Sequence, residues 1–291
     1  MKKLFLLMAG ALMSIGMFAQ DPFVGFTKQT MAMHYENNLD VLVDRVKTSI
    51  ENNPNIDAAS KGMAKMMAKP IVKNQLKQLE MMKYITSLPE GEWTVWQRWD
   101  GVNNRIVNFV PELGRIVSWD GNSGTVIVAY PNLKIASKET NEAYKTEQFK
   151  YSCNYTPLPE GVEIEEINGF EAVPNYGLAP YDENSEVEES EIIEVYGQKY
   201  IKIPAPGYKL VEYGMMVQHT MNTEFYSQET NMLSWGKEPI PDSDFVIPAD
   251  YKLVNTTDEL IKALKKPIKA GTLAIPYDKE RLPESIWDVA K

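Results

Sequence analysis

The period of hydrophobic and polar positions changes twice along the chain. Residues 23–36 alternate loosely, which predicts a first strand. Apolar residues then recur at helical spacing, so residues 39–51 are predicted to form an amphipathic helix that ends near Pro54. A second helical stretch covers about 57–87, and Pro70 is expected to break or kink it.

From residue 92 onward the pattern is typical of strands. Short runs rich in valine, isoleucine and aromatic residues are separated by turn sequences such as Asp-Gly and Asp-Gly-Asn-Ser-Gly, which predicts an antiparallel meander. Residues 147–156 and 161–173 are predicted to be two more strands, and residues 174–190 an exposed acidic loop. Several further strands follow, with a last extended piece near 245–254.

The carboxyl-terminal part returns to a helical pattern. Thr256 and Glu259 have the spacing of a capping box, and Pro267 is expected to stop the helix that they begin. A short final helix is predicted with Pro283 in its first turn. Strands in series with segregated helices indicate an α+β fold, in one domain over residues 20–291, with a helical insertion at about 38–88 and a helical tail at about 256–291.

The first nineteen residues are predicted to be a secretory signal peptide. Lys2 and Lys3 precede an apolar, uncharged run from Leu4 to Phe18, and cleavage is expected after Ala19. No later segment is apolar enough to cross a membrane, so no transmembrane segment is expected in the mature chain. The expected location is therefore periplasmic or extracellular.

Composition narrows the choice of partners. The apolar fraction of 44% is sufficient for a substantial core. Forty acidic residues against 30 basic ones give a net charge of −10, and cleavage of the signal peptide changes it to −12, which argues against a nucleic-acid partner. Because the chain has one cysteine and two histidines, it can form neither an intramolecular disulfide nor a cysteine-rich metal cluster. No cofactor and no metal site are expected.

A search for catalytic motifs gives no nucleophile elbow, phosphate loop or zinc-binding helix motif. Cys153 is expected to be a small core residue, and His34 and His219 to be structural histidines. Acidic residues cluster near 163–166 and 182–191, and we expect them to lie solvated on the protein surface. A glycan hydrolase that uses two of these carboxylates stays an alternative, although a non-enzymatic role is favoured.

Aromatic and methionine residues are the most distinctive feature. In an extended strand Trp93 and Trp99 share one face, while Trp96 points to the other. Methionines concentrate in the helical insertion, where flexible thioethers suit varied apolar shapes. We therefore predict a helical lid over an apolar pocket, the alternative being an ordinary packed core. The predicted ligand-binding residues are Met63, Met66, Met67, Met82, Trp93, Trp96, Trp99 and Trp119.

Three passages resemble the LolA/LolB-like periplasmic lipoprotein-carrier superfamily. The first runs from Arg105 to Lys138 and includes the passages Ile116–Gly121 and Val126–Lys134. The others are Glu165–Ala172 and Asp244–Tyr251. The resemblance implies a curved, incompletely closed antiparallel sheet, a half-barrel around an apolar cavity, with helices packed on or over it. In such carriers the cavity holds acyl chains, and Arg98, Arg105 and Arg115 are equal candidates for an arginine that gates lipid entry.

These observations favour an exported, non-enzymatic binding protein for a lipid or other apolar or amphipathic ligand held between sheet and helices. An envelope or surface protein-interaction module with a packed core is the first alternative, with an envelope protein as its partner. The glycan hydrolase is the second.

Overall fold

The computed structural model describes residues 23–85, 87–146, 165–180, 192–195, 198–210, 216–223 and 225–291. The predicted signal peptide, Cys153, the strand predicted at 147–156 and the acidic residues from 182 to 191 lie outside these ranges.

The described residues form thirteen strands and three α-helices. The helices are α1 (Leu39–Asn52), α2 (Ala58–Met82) and α3 (Thr257–Ala270). The strands are β1 (Val24–Tyr35), β2 (Gly91–Asp100), β3 (Arg105–Val110), β4 (Arg115–Asp120), β5 (Thr125–Tyr130), β6 (Ile135–Thr140), β7 (Glu165–Ile167), β8 (Phe170–Pro180), β9 (Ile192–Val195), β10 (Gln198–Leu210), β11 (Met216–Asn222), β12 (Tyr226–Lys237) and β13 (Lys252–Val254).

The strands form one sheet in the order β13-β6-β5-β4-β3-β2-β1-β12-β11-β10-β8-β7, with β9 paired to β10. Every pairing is antiparallel except that of β13 with β6. The sheet is curved and is not closed on itself. The predicted fold class, α+β with an open, curved and mainly antiparallel sheet, is therefore confirmed.

Strands β2 to β6 form the predicted meander because each turn has suitable backbone chemistry. Two connections are short 3₁₀ turns that begin with a proline, Pro111–Leu113 and Pro131–Leu133. The first ends at Gly114, which adopts φ 52°. A Cβ there would lie 1.9 Å from the carbonyl oxygen of Leu273, so only glycine allows this close approach of the carboxyl-terminal segment.

The two faces of strands β1 to β6 are covered by different parts of the chain. We name them the Trp96 face and the Trp99 face, because these two β2 side chains lie on opposite sides, as predicted. On the Trp96 face a hydrophobic core is formed with the last segment of the chain, through Trp96, Val107, Phe109, Ile116, Ile127, Ala129, Ala136, Ile275, Leu282, Ile286, Trp287 and Val289.

Helix α3 packs on the other side of the same strands. Its buried Leu260 and Leu264 contact Val126, Val128 and Tyr130, which lie on the Trp99 face. Thr256 caps the helix through a hydrogen bond from the Glu259 amide to its hydroxyl (3.1 Å). The Glu259 carboxylate accepts from the amide of Asn255 rather than from that of Thr256.

Helices α1 and α2 form a hairpin with a small core of its own. Leu42 and Val43 of α1 pack against Ala68 and Val72 of α2. Helix α2 is continuous through Pro70, so the expected break into two pieces is wrong. Pro70 removes one amide donor, and the carbonyl left without it belongs to Met66, on the exposed side of the helix where water can bind it.

Three other boundaries differ from prediction. Helix α3 passes Pro267 and ends at Ala270, with Gly271 in the left-handed conformation that favours glycine. Strand β8 continues to Pro180, so the loop predicted over 174–190 is wrong for residues 174–180, and the rest of that prediction lies outside the described residues. The final helix is a 3₁₀ turn over Ile286–Ala290 capped by Ser285, and Pro283 precedes it.

Candidate functional site

A band of buried polar side chains crosses the Trp99 face. It starts on β2 with Gln97 and crosses β1 at Thr27 and Gln29. On β12 Met232 lies opposite Gln29, and the polar positions resume diagonally at Thr230 and continue on β11 at His219. Four of the five are buried, with exposed fractions of 2% for Thr27, 5% for Gln29, 0% for Thr230 and 2% for His219. We call these five residues the polar band.

Hydrogen bonds tie the β1 and β2 part of the band together. The Gln29 side-chain amide donates to Gln97 Oε1 (3.0 Å) and to the Thr27 hydroxyl (3.2 Å). Thr27 in turn donates to Gln97 Oε1 (3.3 Å). On β12 the amide of Gln228 donates to the Thr230 hydroxyl (3.1 Å). Buried amides and hydroxyls are expensive to desolvate, and these hydrogen bonds offset that cost.

His219 lies at the far end of the band, opposite Thr230 in the register of β11 and β12. Burial lowers the pKa of its imidazole below the ordinary value of 6.5, because the charged form loses its hydration. The histidine is therefore neutral at neutral pH. It adds a polar group but no charge to the band.

Apolar clusters flank the band on both sides. One contains Phe23, Trp99, Ile106, Val217 and Met232, with Trp119, Ile167, Phe170 and Trp235 packed against it. The other contains Met33, Leu88, Val95, Val110 and Leu113, with Met31 and Trp93 among its partly buried members. The Trp99 face thus alternates between apolar, polar and apolar zones.

The same face ends at a cluster of donors under the turn that joins α2 to β2. Tyr35 donates to the carbonyl of Leu88, Arg115 to that of Ser87, and Tyr130 to that of Tyr84. Burial raises the pKa of Tyr35 and that of Tyr130 to about 12. Three strands therefore hold one turn through its backbone carbonyls.

Arg115 differs from the two other candidate arginines in its charge environment. Arg98 contacts Asp244 (2.6 Å) and Glu238 (3.4 Å), and Arg105 pairs with Asp100 and Asp242. Arg115 is buried and forms no ion pair within the described ranges, and burial lowers the pKa of its guanidinium. Among these three arginines, the charge of Arg115 is the one that no described carboxylate neutralises.

The predicted tryptophans separate into two groups. Trp93, Trp99 and Trp119 lie on the Trp99 face, where the indole of Trp93 donates to the Pro89 carbonyl (2.9 Å) and that of Trp119 to the Tyr144 carbonyl (2.8 Å). Trp96 lies on the Trp96 face, beneath the carboxyl-terminal segment and beside Lys28, whose ammonium is 4.9 Å from the ring centroid.

The predicted methionines do not join the tryptophans. Met63, Met66 and Met67 are 71%, 81% and 51% exposed on α2, so they are not a lid packed on the sheet. The reason is that α2 buries its opposite side against α1. Met82 is half-buried at the end of α2, where its carbonyl accepts the amides of Ile85 and Ser87.

The chemistry expected of the other candidates is limited within the described residues. His34 is exposed, and no group of three or more histidine, cysteine, aspartate or glutamate residues there has a geometry suited to a metal ion. No helix among the described residues has the length and apolar character needed to cross a membrane. Open concavities include a groove of about 800 Å³ between α1 and the β11–β12 turn, lined by polar residues such as Asp44, Arg45 and Asn222.

The chain matches no protein-family model and no curated protein in searches of both.

Sequence reasoning missed the polar band. The signal was present in β1, where Thr27, Gln29, Met31 and Met33 occupy alternate positions that the period of a strand places on one face. A strand with threonine and glutamine on its buried face departs from the usual apolar alternation, and that departure indicates a special surface.

Proposed function

We propose that the protein is an exported carrier or binding protein for an amphipathic lipid that lies along the Trp99 face. The observation that carries this proposal is the polar band between two apolar clusters. An ordinary core would avoid the desolvation cost of burying Thr27 and Gln29 by placing apolar side chains at these positions. A ligand with both polar and apolar parts gives this arrangement a use.

The two kinds of surface suit the two parts of such a ligand. Amide and hydroxyl groups of the band hydrogen-bond an ester, hydroxyl or carboxyl group, and the flanking aromatic and aliphatic side chains contact acyl chains. Burial of apolar surface stabilises a complex by about 25 cal/mol per Å², so a single acyl chain supplies several kcal/mol. An open sheet with a helix on this face is also the arrangement that the resemblance to lipoprotein carriers implies.

The test uses a brominated long-chain fatty acid, because bromine quenches tryptophan fluorescence only at close contact. We expect quenching of the protein from residue 20 onward, and loss of most of it in the double variant Trp99→Phe/Trp119→Phe. Trp287→Phe is the matched control, because Trp287 lies on the Trp96 face and its removal leaves the quenching in place.

A second measurement is independent of variant stability. Organic extraction of the protein purified under native conditions is expected to yield lipid. If the extract contains no lipid and the brominated fatty acid causes no quenching, a packed interaction module is the better account. Turnover of a polysaccharide, lost on glutamate-to-glutamine substitution, would instead support the hydrolase.

A further inference from the structure

Helix α2 is apolar on two opposite sides, and only one of them is covered. The covered side carries Ala68 and Val72, both 0% exposed against α1. The other side carries Met63, Met66, Met67 and Ile71, which are 71%, 81%, 51% and 44% exposed. Their spacing of three and four residues places them in one stripe, which we call the outer stripe.

Lysines accompany this stripe along the whole helix. Helix α2 contains five lysines and a single glutamate, Glu80, although the chain as a whole has a net charge of −10. The lysines are spaced every four residues: Lys61, Lys65, Lys69, Lys73 and Lys77. Four residues advance about 40° beyond a full turn, so the row moves gradually around the helix.

The first three lysines reach back to α1. Lys61 donates to the carbonyl of Glu51 (2.6 Å), Lys65 pairs with the Glu51 carboxylate, and Lys69 lies 3.4 Å from Asp40. Lys73 and Lys77 are exposed and form no ion pair in the part of the chain that the structure describes. The drift of the row brings them beside the outer stripe, with Lys73 two turns beyond Met66 on the same side.

We infer that the outer stripe, with Lys73 and Lys77, docks on the surface of an anionic lipid bilayer. Exposed apolar residues beside free lysines are the two features that bind an amphipathic helix to such a surface. Methionine side chains enter the boundary between headgroups and acyl chains, while lysine stems extend to the phosphates. Helix α2 carries five lysines and one glutamate in a chain of net charge −10, so its own charge favours contact with anionic lipid although that of the whole chain does not.

The inference does not depend on the ligand proposed for the Trp99 face. The two are separable by experiment, since the α2 side chains that dock are not those that contact the brominated fatty acid. Variants of the outer stripe are expected to leave the quenching by that fatty acid unchanged.

The test is co-sedimentation of the protein from residue 20 onward with vesicles. We expect binding to vesicles of phosphatidylglycerol and phosphatidylethanolamine, little binding to vesicles of phosphatidylcholine, and weakening with added salt. Lys73→Gln/Lys77→Gln is expected to weaken binding roughly 10- to 30-fold. Lys262→Gln/Lys265→Gln is the matched control, with the same charge change on exposed positions of α3 and no expected effect.

The apolar part has its own variant pair. Met63→Ser/Met66→Ser is expected to reduce binding at least tenfold, whereas Val246→Ser/Leu253→Ser removes two other exposed apolar side chains and leaves binding intact. All these side chains are exposed, so the fold is retained. Equal binding to both vesicle types, no binding to anionic vesicles at low salt, or equal loss in the control variants overturns the inference. The inference is also overturned if Lys73 crosslinks to an acidic protein and the protein does not bind vesicles. That result would identify a protein interface instead.

Discussion

Arg98 of β2 and Asp244 form a buried ion pair that joins positions 146 residues apart, with Nη1 2.6 Å from Oδ2. Both side chains are almost wholly buried, at 2% and 0% exposure. Asp244 also accepts the amide of Ile286 (2.9 Å), and Arg98 donates to the carbonyls of Pro283 and Glu284. Burial raises the pKa of the Asp244 carboxyl, and the positive charge of Arg98 offsets part of that rise.

The first prediction concerns this pair. Asp244→Asn leaves a buried guanidinium with only the more distant Glu238 (3.4 Å) to balance its charge. We expect a loss of about 3 kcal/mol in the free energy of unfolding, measured by urea denaturation. Asp242→Asn is the control, because that side chain is 88% exposed and its loss is expected to cost less than about 1 kcal/mol. Equal losses in the two variants would refute a special role for the buried pair.

The second prediction compares the two buried arginines. Arg98→Met leaves the buried Asp244 without its arginine, while Glu238 keeps its ion pair with Arg281 (3.0 Å), and we expect a cost of about 3–5 kcal/mol. Arg115→Met removes a buried charge that no described carboxylate balances, together with its hydrogen bond to the Ser87 carbonyl, so we expect a loss of about 1 kcal/mol. Urea denaturation of both variants measures the difference. A larger loss for Arg115→Met than for Arg98→Met would contradict this account of their charge environments.

The third prediction is a pH dependence at Asp100. Burial alone would raise the pKa of this carboxyl, but hydrogen bonds from Arg105 and Asn103 outweigh it and hold the pKa below the ordinary value of 3.8. The ionised carboxylate therefore stabilises the fold above that value, and this contribution is lost as pH falls through the lower pKa of the folded state. We expect acidification from neutral pH to lower the free energy of unfolding of the native protein by more than it lowers that of the Asp100→Asn variant.

Urea denaturation of both proteins at neutral pH and below pH 3.8 provides the measurement. Every other carboxylate is common to the two proteins, so the difference isolates Asp100. An identical acid-induced loss in both would show that the pKa of Asp100 is not lowered by folding.

The fourth prediction concerns the alkaline side. The pKa of Tyr130 is about 12 in the folded chain, against an ordinary value of 10.0, because burial disfavours the phenolate. The neutral phenol stabilises the fold up to the ordinary pKa, and this contribution is lost as pH rises toward 12. We expect Tyr130→Phe to remove one late-titrating group from the phenolate absorbance curve and to cost about 1 kcal/mol at neutral pH. A curve that loses an early-titrating group instead would rule out the burial effect.

The prediction of the fold from sequence succeeded where one local pattern was decisive and failed where distant residues meet. The alternation in β1 and the turn chemistry of β2 to β6 are local, and both were predicted. Pro70 and Pro267 are also local features. Each removes an amide donor from its helix, and whether the helix continues depends on whether the carbonyl that loses this donor finds another hydrogen-bond partner. The sequence pattern does not contain that information. The partners of Arg98 depend on how the carboxyl-terminal segment crosses the Trp96 face.

The candidate site shows the same division. The faces of Trp93, Trp96 and Trp99 follow from the period of a strand alone and were predicted. That Gln29 meets Gln97 follows from the register between β1 and β2, which the two sequences do not determine separately. The methionines of α2 were predicted to face the sheet because their apolar character was visible, whereas the competing contact of α2 with α1 was not.

The fifth prediction separates stability from function in the polar band. Gln29→Met keeps the length of the side chain and removes its hydrogen bonds to Gln97 and Thr27. In this variant Thr27 still donates to Gln97 Oε1, so neither partner loses its last hydrogen bond, and we expect a change in the free energy of unfolding within about 1 kcal/mol. We also expect weaker binding of the brominated fatty acid, since the ligand loses a polar partner. Met31→Leu, two residues along the same face, is the control for a general repacking effect. Unchanged binding together with a large loss of stability would identify the band as structural and remove the main support for a ligand on this face.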